Sequence, residues 1–139
     1  MILALGAASA SAAPRQSLVS LQDALSGAIA TGRNAVVAIR ARHLSPGQGQ
    51  VESAGAGVIV DPRGIIVTNY HLVGSAHEVE VEVWQNGSPR YFAWVMAVDP
   101  DRDLALVAIW GKGPFPVATL ANSDLVRVGD RVVARVRKC

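Results

Sequence analysis

The segment VTNYHLV (67–73) sets a histidine, His71, at the end of an apolar run that otherwise has the pattern of a buried strand. Thirty-two residues later, Asp103 stands directly before a second apolar run, LALVAIW (104–110). An imidazole titrates near working pH and can take or release a proton there. A carboxylate is a charged acceptor. Alone, the two residues carry little. A histidine at a strand end is more often a core or surface residue with a satisfied hydrogen bond. Asp103, in the acidic turn Asp99-Pro100-Asp101-Arg102-Asp103, also reads as an ordinary strand cap. A metal site built from His43, His71 and His77 is the weaker chemistry, because no second histidine falls at tight ligand spacing from His71. The one cysteine, Cys139, is the last residue, which excludes an internal disulfide or a CxxC metal site.

The elements that must position these residues are legible from periodicity. SLQDALSGAIATG (20–32) predicts an amphipathic helix, drawn as 17–32, with Ser20 and Asp23 as a capping-box start. Leu21, Leu25 and Ile29 share one face, and Gly32 is the stop. Beyond Asn34 the pattern is β. NAVVAIR (34–40) is a short apolar strand, LSPGQGQVES (44–53) a polar loop, and AGAGVIV (54–60) the next strand. Asp61-Pro62-Arg63-Gly64 has the composition of a type I turn and joins that strand to GIIVTN (64–69) as a hairpin. VEVEVW (79–84) alternates strictly, placing Val79, Val81 and Val83 inside and its glutamates in water. Asn86-Gly87 predicts a hairpin turn into RYFAWVMAV (90–98). LALVAIW is apolar throughout, so its strand is expected to be covered on both faces. GKGPFP (111–116) breaks it. LVRVGDRVVARVRK (125–138) alternates again, with Arg127, Arg131, Arg135 and Arg137 on one solvated face. Six or seven short strands with turn signals between them predict an all-β chain: an antiparallel barrel or sandwich preceded by one helix.

Three motifs, in order, resemble the protease domain of the HtrA/Deg serine proteases within the trypsin-like two-barrel group. AGAGVIVDPRGIIVTNYHLV is similar to that family's glycine-rich strand, D-P-x-G turn and T-N-x-H-V-V. AVDPDRDLALVAI is similar to D-x-x-x-D-L-A-L-L-x-I, and LANSDLVRVGDRVVA to G-[DN]-S-[DE]-x-[LV]-x-x-G-[DE]-x-V-x-A. The resemblance covers residues 33 to 134 and implies a six- to seven-stranded first barrel over 33–139. It also implies roles. His71 would be the general base that activates a hydroxyl nucleophile for acyl transfer. Asp103, as a buried carboxylate, would hold the ring in one tautomer and stabilise the imidazolium. Substrates would be unfolded or misfolded proteins, and a full-length form has room for a homo-oligomer. No cofactor and no metal are implied.

The third member of such a triad is missing from these residues. The family carries its serine in a G-N-S-G-G-P motif on the second barrel, which also forms the oxyanion hole. None of Ser17, Ser20, Ser26, Ser45, Ser53, Ser75, Ser88 and Ser123 has the flanking glycines of that motif, in which two follow the serine. After Val132-Val133-Ala134 the family continues with an apolar residue and G-N-P, whereas this chain reads Arg135-Val136-Arg137-Lys138-Cys139. The expectation is a barrel truncated before the nucleophile, by a truncation in the gene or in the record or by a frame change inside a strand, with a divergent natural terminus as the alternative. Losing the nucleophile costs a factor on the order of 10⁶ in turnover, and losing an oxyanion donor roughly 10²–10³ more. No peptidase activity is therefore expected from this polypeptide alone. The alternative is a non-catalytic, protein-binding barrel acting with a partner chain. Retention of both His71 and Asp103 favours the enzyme lineage.

Composition sets the remaining bounds. Of 139 residues, 50% are apolar and 17% charged, enough for one domain with a real core. A net charge of +2, spread along the chain, leaves no footprint of nucleic-acid binding. The start, MILALGAASASAAPRQ, has a short apolar core and an Ala10-Ser11-Ala12 cleavage pattern, so residues 1–13 read as a signal-peptide-like or disordered leader. The expected location is exported, periplasmic or membrane-associated. The absence of a positive n-region leaves room for a late start or an anchor remnant. No apolar run reaches the ~18 residues of a membrane span.

Overall fold

The structure, a computed structural model, describes residues 18–85, 87–130 and 132. The expected leader, and the residues from 133 onward, lie outside this set. The helix is α1, Leu18–Gly32, and it stops at Gly32 as expected. Ser20 lies inside it, so it does not open the helix as a cap. No described side chain of α1 is buried: Leu21 and Leu25 are half-covered and Ile29 is exposed. A 3-10 turn, Arg33–Ala35, then leads into the first strand.

Six antiparallel strands follow: β1 Val36–Ser45, β2 Gly49–Asp61, β3 Ile65–Thr68, β4 Glu78–Glu82, β5 Arg90–Asp99 and β6 Leu104–Ile109. They close into a barrel in the order β1-β2-β3-β6-β5-β4, with β1 pairing both β2 and β4. Alternate side chains point inward, as the pleat requires. Ile39, Ile59, Ile66, Val81 and Val107 are fully buried at the centre. The aspartate turn forms between β2 and β3: the Gly64 amide donates to the Asp61 carbonyl at 2.9 Å, and Gly64 takes φ 90°. The hairpin between β4 and β5 closes with the Ser88 amide donating to the Gln85 carbonyl at 2.9 Å; Asn86 itself lies outside the described residues. The GKGPFP segment leaves β6 and turns Phe115 into the base of the barrel. There its amide donates to the Pro62 carbonyl at 2.9 Å, and its ring meets Tyr91 edge to face at 5.4 Å.

Several expectations are corrected. Residues 44–53 are not a loop: β1 and β2 pair continuously from Val36↔Val58 to Ser45↔Gly49, with only Pro46–Gln48 as the turn. Val79, Val81 and Val83 are buried as expected, but the glutamates beside them are only half-exposed. Glu80 and Glu82 both pair with Arg90. Glu78 pairs with Arg42, which also reaches Glu52, so one guanidinium ties three neighbouring strands together. β6 is not covered on both faces, because Leu104 and Leu106 point outward and are 42% and 37% exposed. They join Phe92, Trp94, Met96 and Val98 of β5 in an apolar outer face. Among the described residues no strand forms after β6; Ser123–Leu125 is a 3-10 turn. No described helix is long and apolar enough to cross a membrane.

Candidate active site

His71 is delivered by a four-residue helix, α2, Tyr70–Val73, which leaves β3 through Asn69. Its next two residues fix it to the barrel: Leu72 and Val73 are buried in the core, and their burial holds Tyr70 and His71 at the rim. Below them the Thr68 hydroxyl, itself buried, donates to the Ala56 carbonyl at 2.9 Å. The helix ends at Gly74, whose amide donates to the Tyr70 carbonyl at 2.7 Å. A side chain there would meet the Tyr70 ring at 2.2 Å, so only glycine lets the ring fold back over the turn.

Asp103 arrives directly before β6, the strand that pairs with β3. β5 and β6 are joined by a 3-10 turn, Pro100–Arg102, whose cap is Asp99: its Oδ1 accepts from the Arg102 amide at 3.2 Å. Arg102 also donates to Asp99 Oδ2 at 2.6 Å. Asp103 closes the same turn, its amide donating to the Pro100 carbonyl at 3.2 Å, and stands directly before β6. Asp103 adopts the left-handed region, φ 52° and ψ 43°, a conformation aspartate tolerates better than most residues. That twist turns its carboxylate toward α2.

The two motifs meet there. His71 Nδ1 lies 2.7 Å from Asp103 Oδ2, and the His71 amide donates to Oδ1 at 2.8 Å. An ionised carboxylate only accepts, so Nδ1 carries the proton of this bond and Nε2 of the neutral ring keeps its lone pair. The bond from the His71 amide, followed by the one from its ring, holds Asp103 below the ordinary carboxylate range. Hydrogen bonding rather than burial sets this state. Contrary to the buried carboxylate expected, the Asp103 side chain is 43% exposed, and that of His71 is 73% exposed. Such a pair can accept a proton at Nε2 and steady the cation that results.

Asn69, quoted in the motif but given no task there, also reaches this carboxylate, with Nδ2 3.1 Å from Oδ2. Its partner lies 34 residues away and has no local signature. The histidines of the metal reading point to separate partners: His43 Nδ1 to the Ser75 hydroxyl at 3.1 Å, His77 to Gln50 at 3.5 Å, and His71 to Asp103. Among the described residues no group of three metal-ligating side chains forms.

Comparison with known proteins agrees with the fold. Residues 55–135 match the trypsin-like peptidase domain. The magnetosome formation protease MamE of Paramagnetospirillum magneticum is 45% identical over 91 residues, 65% of this chain and 12% of that protein. Serine protease HTRA1 of Xenopus laevis is 39% identical over 82 residues, 59% of this chain and 17% of that protein. A probable periplasmic serine endoprotease, DegP-like, of Rickettsia prowazekii is 35% identical over 80 residues, 58% of this chain and 15% of that protein. The chain thus spans less than a fifth of the length of each of these relatives. With a closed antiparallel barrel, a matching peptidase domain and relatives of this kind, the chain belongs to the trypsin-like serine proteases of the HtrA/Deg family.

Proposed function

We propose that this barrel is the His–Asp half of a serine endopeptidase acting on proteins, with His71 as general base and Asp103 as the carboxylate that orients it. The observation carrying this reading is the 2.7 Å contact of His71 Nδ1 with Asp103 Oδ2 at the barrel rim. Nε2 takes the proton of a serine hydroxyl as its oxygen bonds to the peptide carbonyl carbon. The same nitrogen then returns that proton to the leaving amine. Asp103 stays ionised throughout and stabilises the imidazolium between the two transfers. The hydroxyl and the oxyanion donors come from residues outside the described barrel, and the 139-residue polypeptide by itself is inactive. The protease names of the HtrA and DegP-like relatives support proteins as its substrates, and the family resemblance of the motifs extends the proposal to unfolded or misfolded ones.

The test begins with the coding DNA beyond codon 139. If a G-N-S-G-G segment follows in any frame, the continuous product should hydrolyse an unfolded protein, and H71A should abolish this. If the 139-residue chain instead reacts with a serine-directed fluorophosphonate, the proposed inactivity is wrong. If no second barrel follows, the catalytic reading fails and a protein-binding role with a partner chain takes its place.

Export is proposed on the leader at 1–13 and on the periplasmic name of the DegP-like relative. N-terminal sequencing of the mature protein should start just past Ala12. An intact Met1 on a cytoplasmic pool would overturn it.

A further inference from the structure

Asn69 stands at the N-cap of α2 and is of a residue type that favours capping, yet its side chain makes no cap bond. Its amide is turned to Asp103 instead, with Nδ2 3.2 Å from the main-chain oxygen and 3.1 Å from Oδ2. Both oxygens only accept, so the NH2 end of the amide must face them. The capping of α2 passes to Asp103. Its main-chain oxygen takes the Tyr70 N–H at 3.1 Å, and its Oδ1 takes the His71 N–H at 2.8 Å. Asp103 is thereby held by three consecutive residues, 69 to 71, at both its backbone and its carboxylate.

We infer that Asn69 is a positioning residue: its amide locks the Asp103 carboxylate and, through it, the Nδ1-protonated orientation of the His71 ring. The inference rests on the proposed roles of His71 and Asp103. The need for a lock follows from exposure. Asp103 is 43% exposed, so water competes for its oxygens, and its left-handed backbone is one that most residues avoid. Without Asn69, Oδ2 would be restrained only by the ring it is meant to orient. The neighbouring charges supply no substitute, because Arg102 is engaged with Asp99. Asn69 also suits the site electrically: it donates to the carboxylate without adding a charge that would compete with the imidazolium for it.

The role is separable from capping. Asp is as good an N-cap as Asn, and N69D keeps the shape. It replaces the donor with a second carboxylate facing the first. Two-dimensional NMR of the 139-residue chain and of N69D and N69A reads the outcome without any activity. In the parent chain the Asn69 side-chain amide protons should shift with the same midpoint as the Asp103 carboxyl carbon, and His71 should show a protonated Nδ1. In N69D the Asp103 midpoint should rise and the Nδ1–H signal should be lost; N69A should show the same changes, smaller. A parent chain whose Asn69 amide ignores the Asp103 titration overturns the inference, even if neither variant folds. So do folded variants with unchanged His71 and Asp103 signals. An inactive full-length protein with these NMR results intact would count against the catalytic reading and leave the positioning standing.

Discussion

Leu72, the residue after His71, lies directly over Gly55 of β2: a Cβ on Gly55 would stand 2.6 Å from Leu72 Cδ2. The glycine-rich strand and the histidine helix are therefore one packing unit. The glycine clears the space into which the helix settles, and the buried leucine carries the depth of that contact to the rim. G55A should force Leu72 outward and destabilise the barrel by about 1–3 kcal/mol, the usual cost of overfilling a packed site. Urea unfolding checks the stability, and displacement of the His71 ring resonances checks the coupling. An unchanged midpoint with unmoved His71 signals would mean that Leu72 repacks freely.

Acid stability should depend on Asp103. Its pKa is lowered from 3.8 by the bonds to His71, so the folded state favours the ionised form more than the unfolded chain does. Such a group adds stability above its unfolded value and loses it as pH falls through the lower folded value. The part of the stability difference between the parent and D103N that comes from the carboxylate's own titration should shrink as the pH drops below ~4. Asp61, held low by Arg63, titrates in the same region in both proteins and cancels from the comparison. Urea midpoints from pH 6 to pH 2 give the answer; a difference that persists undiminished to pH 2 would contradict it.

In an active full-length product, H71A should lower kcat by a factor on the order of 10⁶, since base and nucleophile act as a unit. D103N should cost about 10⁴, because an amide in place of the carboxylate favours the wrong ring tautomer. Steady-state hydrolysis of an unfolded protein measures both. Comparable losses from H43A or H77A would show that the base has been misassigned.

The outer face of β5 and β6 should make the isolated chain associate. Trp94 and Trp110 meet edge to face at 6.5 Å there, and Trp110 is 79% exposed. With Phe92, Met96, Leu104 and Leu106 they form a contiguous apolar surface of a kind that folded chains rarely leave in water. Sedimentation should show mass rising with concentration, and W110S with F92T should reduce both that rise and the binding of a hydrophobic dye. A chain that stays monomeric at high concentration without binding the dye would refute this.

The residues whose roles depend on their neighbours in sequence were readable before the structure. The Asp61–Gly64 turn needs only a proline and a glycine at set positions, and the burial of Val79, Val81 and Val83 follows from alternation. The T-N-Y-H and D-L-A-L motifs located His71 and Asp103 through family resemblance. Pairing partners were not readable. The outer part of the first hairpin looked like loop because Gln50, Val51 and Glu52 all face solvent; there the ladder of backbone bonds sets the structure, with no burial pattern to announce it. Of the alternating segment after residue 125, the described residues form no strand, and the barrel is already closed by β1 pairing with β4.

The sequence by itself determined an all-β chain of short antiparallel strands after one helix, because turn chemistry and period-2 burial act over a few residues; the barrel and the pairing of His71 with Asp103 were expectations of the family resemblance. Only the tertiary structure decided what those groups touch. The pairing of β3 with β6 places Asn69 and Asp103, 34 residues apart in the chain, within hydrogen-bonding distance. Closure of the barrel exposes Leu104 and Leu106 on a strand whose composition promised burial on both faces. It also leaves Asp103 held by hydrogen bonds at a half-open rim. Contacts of this kind depend on how distant segments approach in space, and no local pattern of residues encodes that approach.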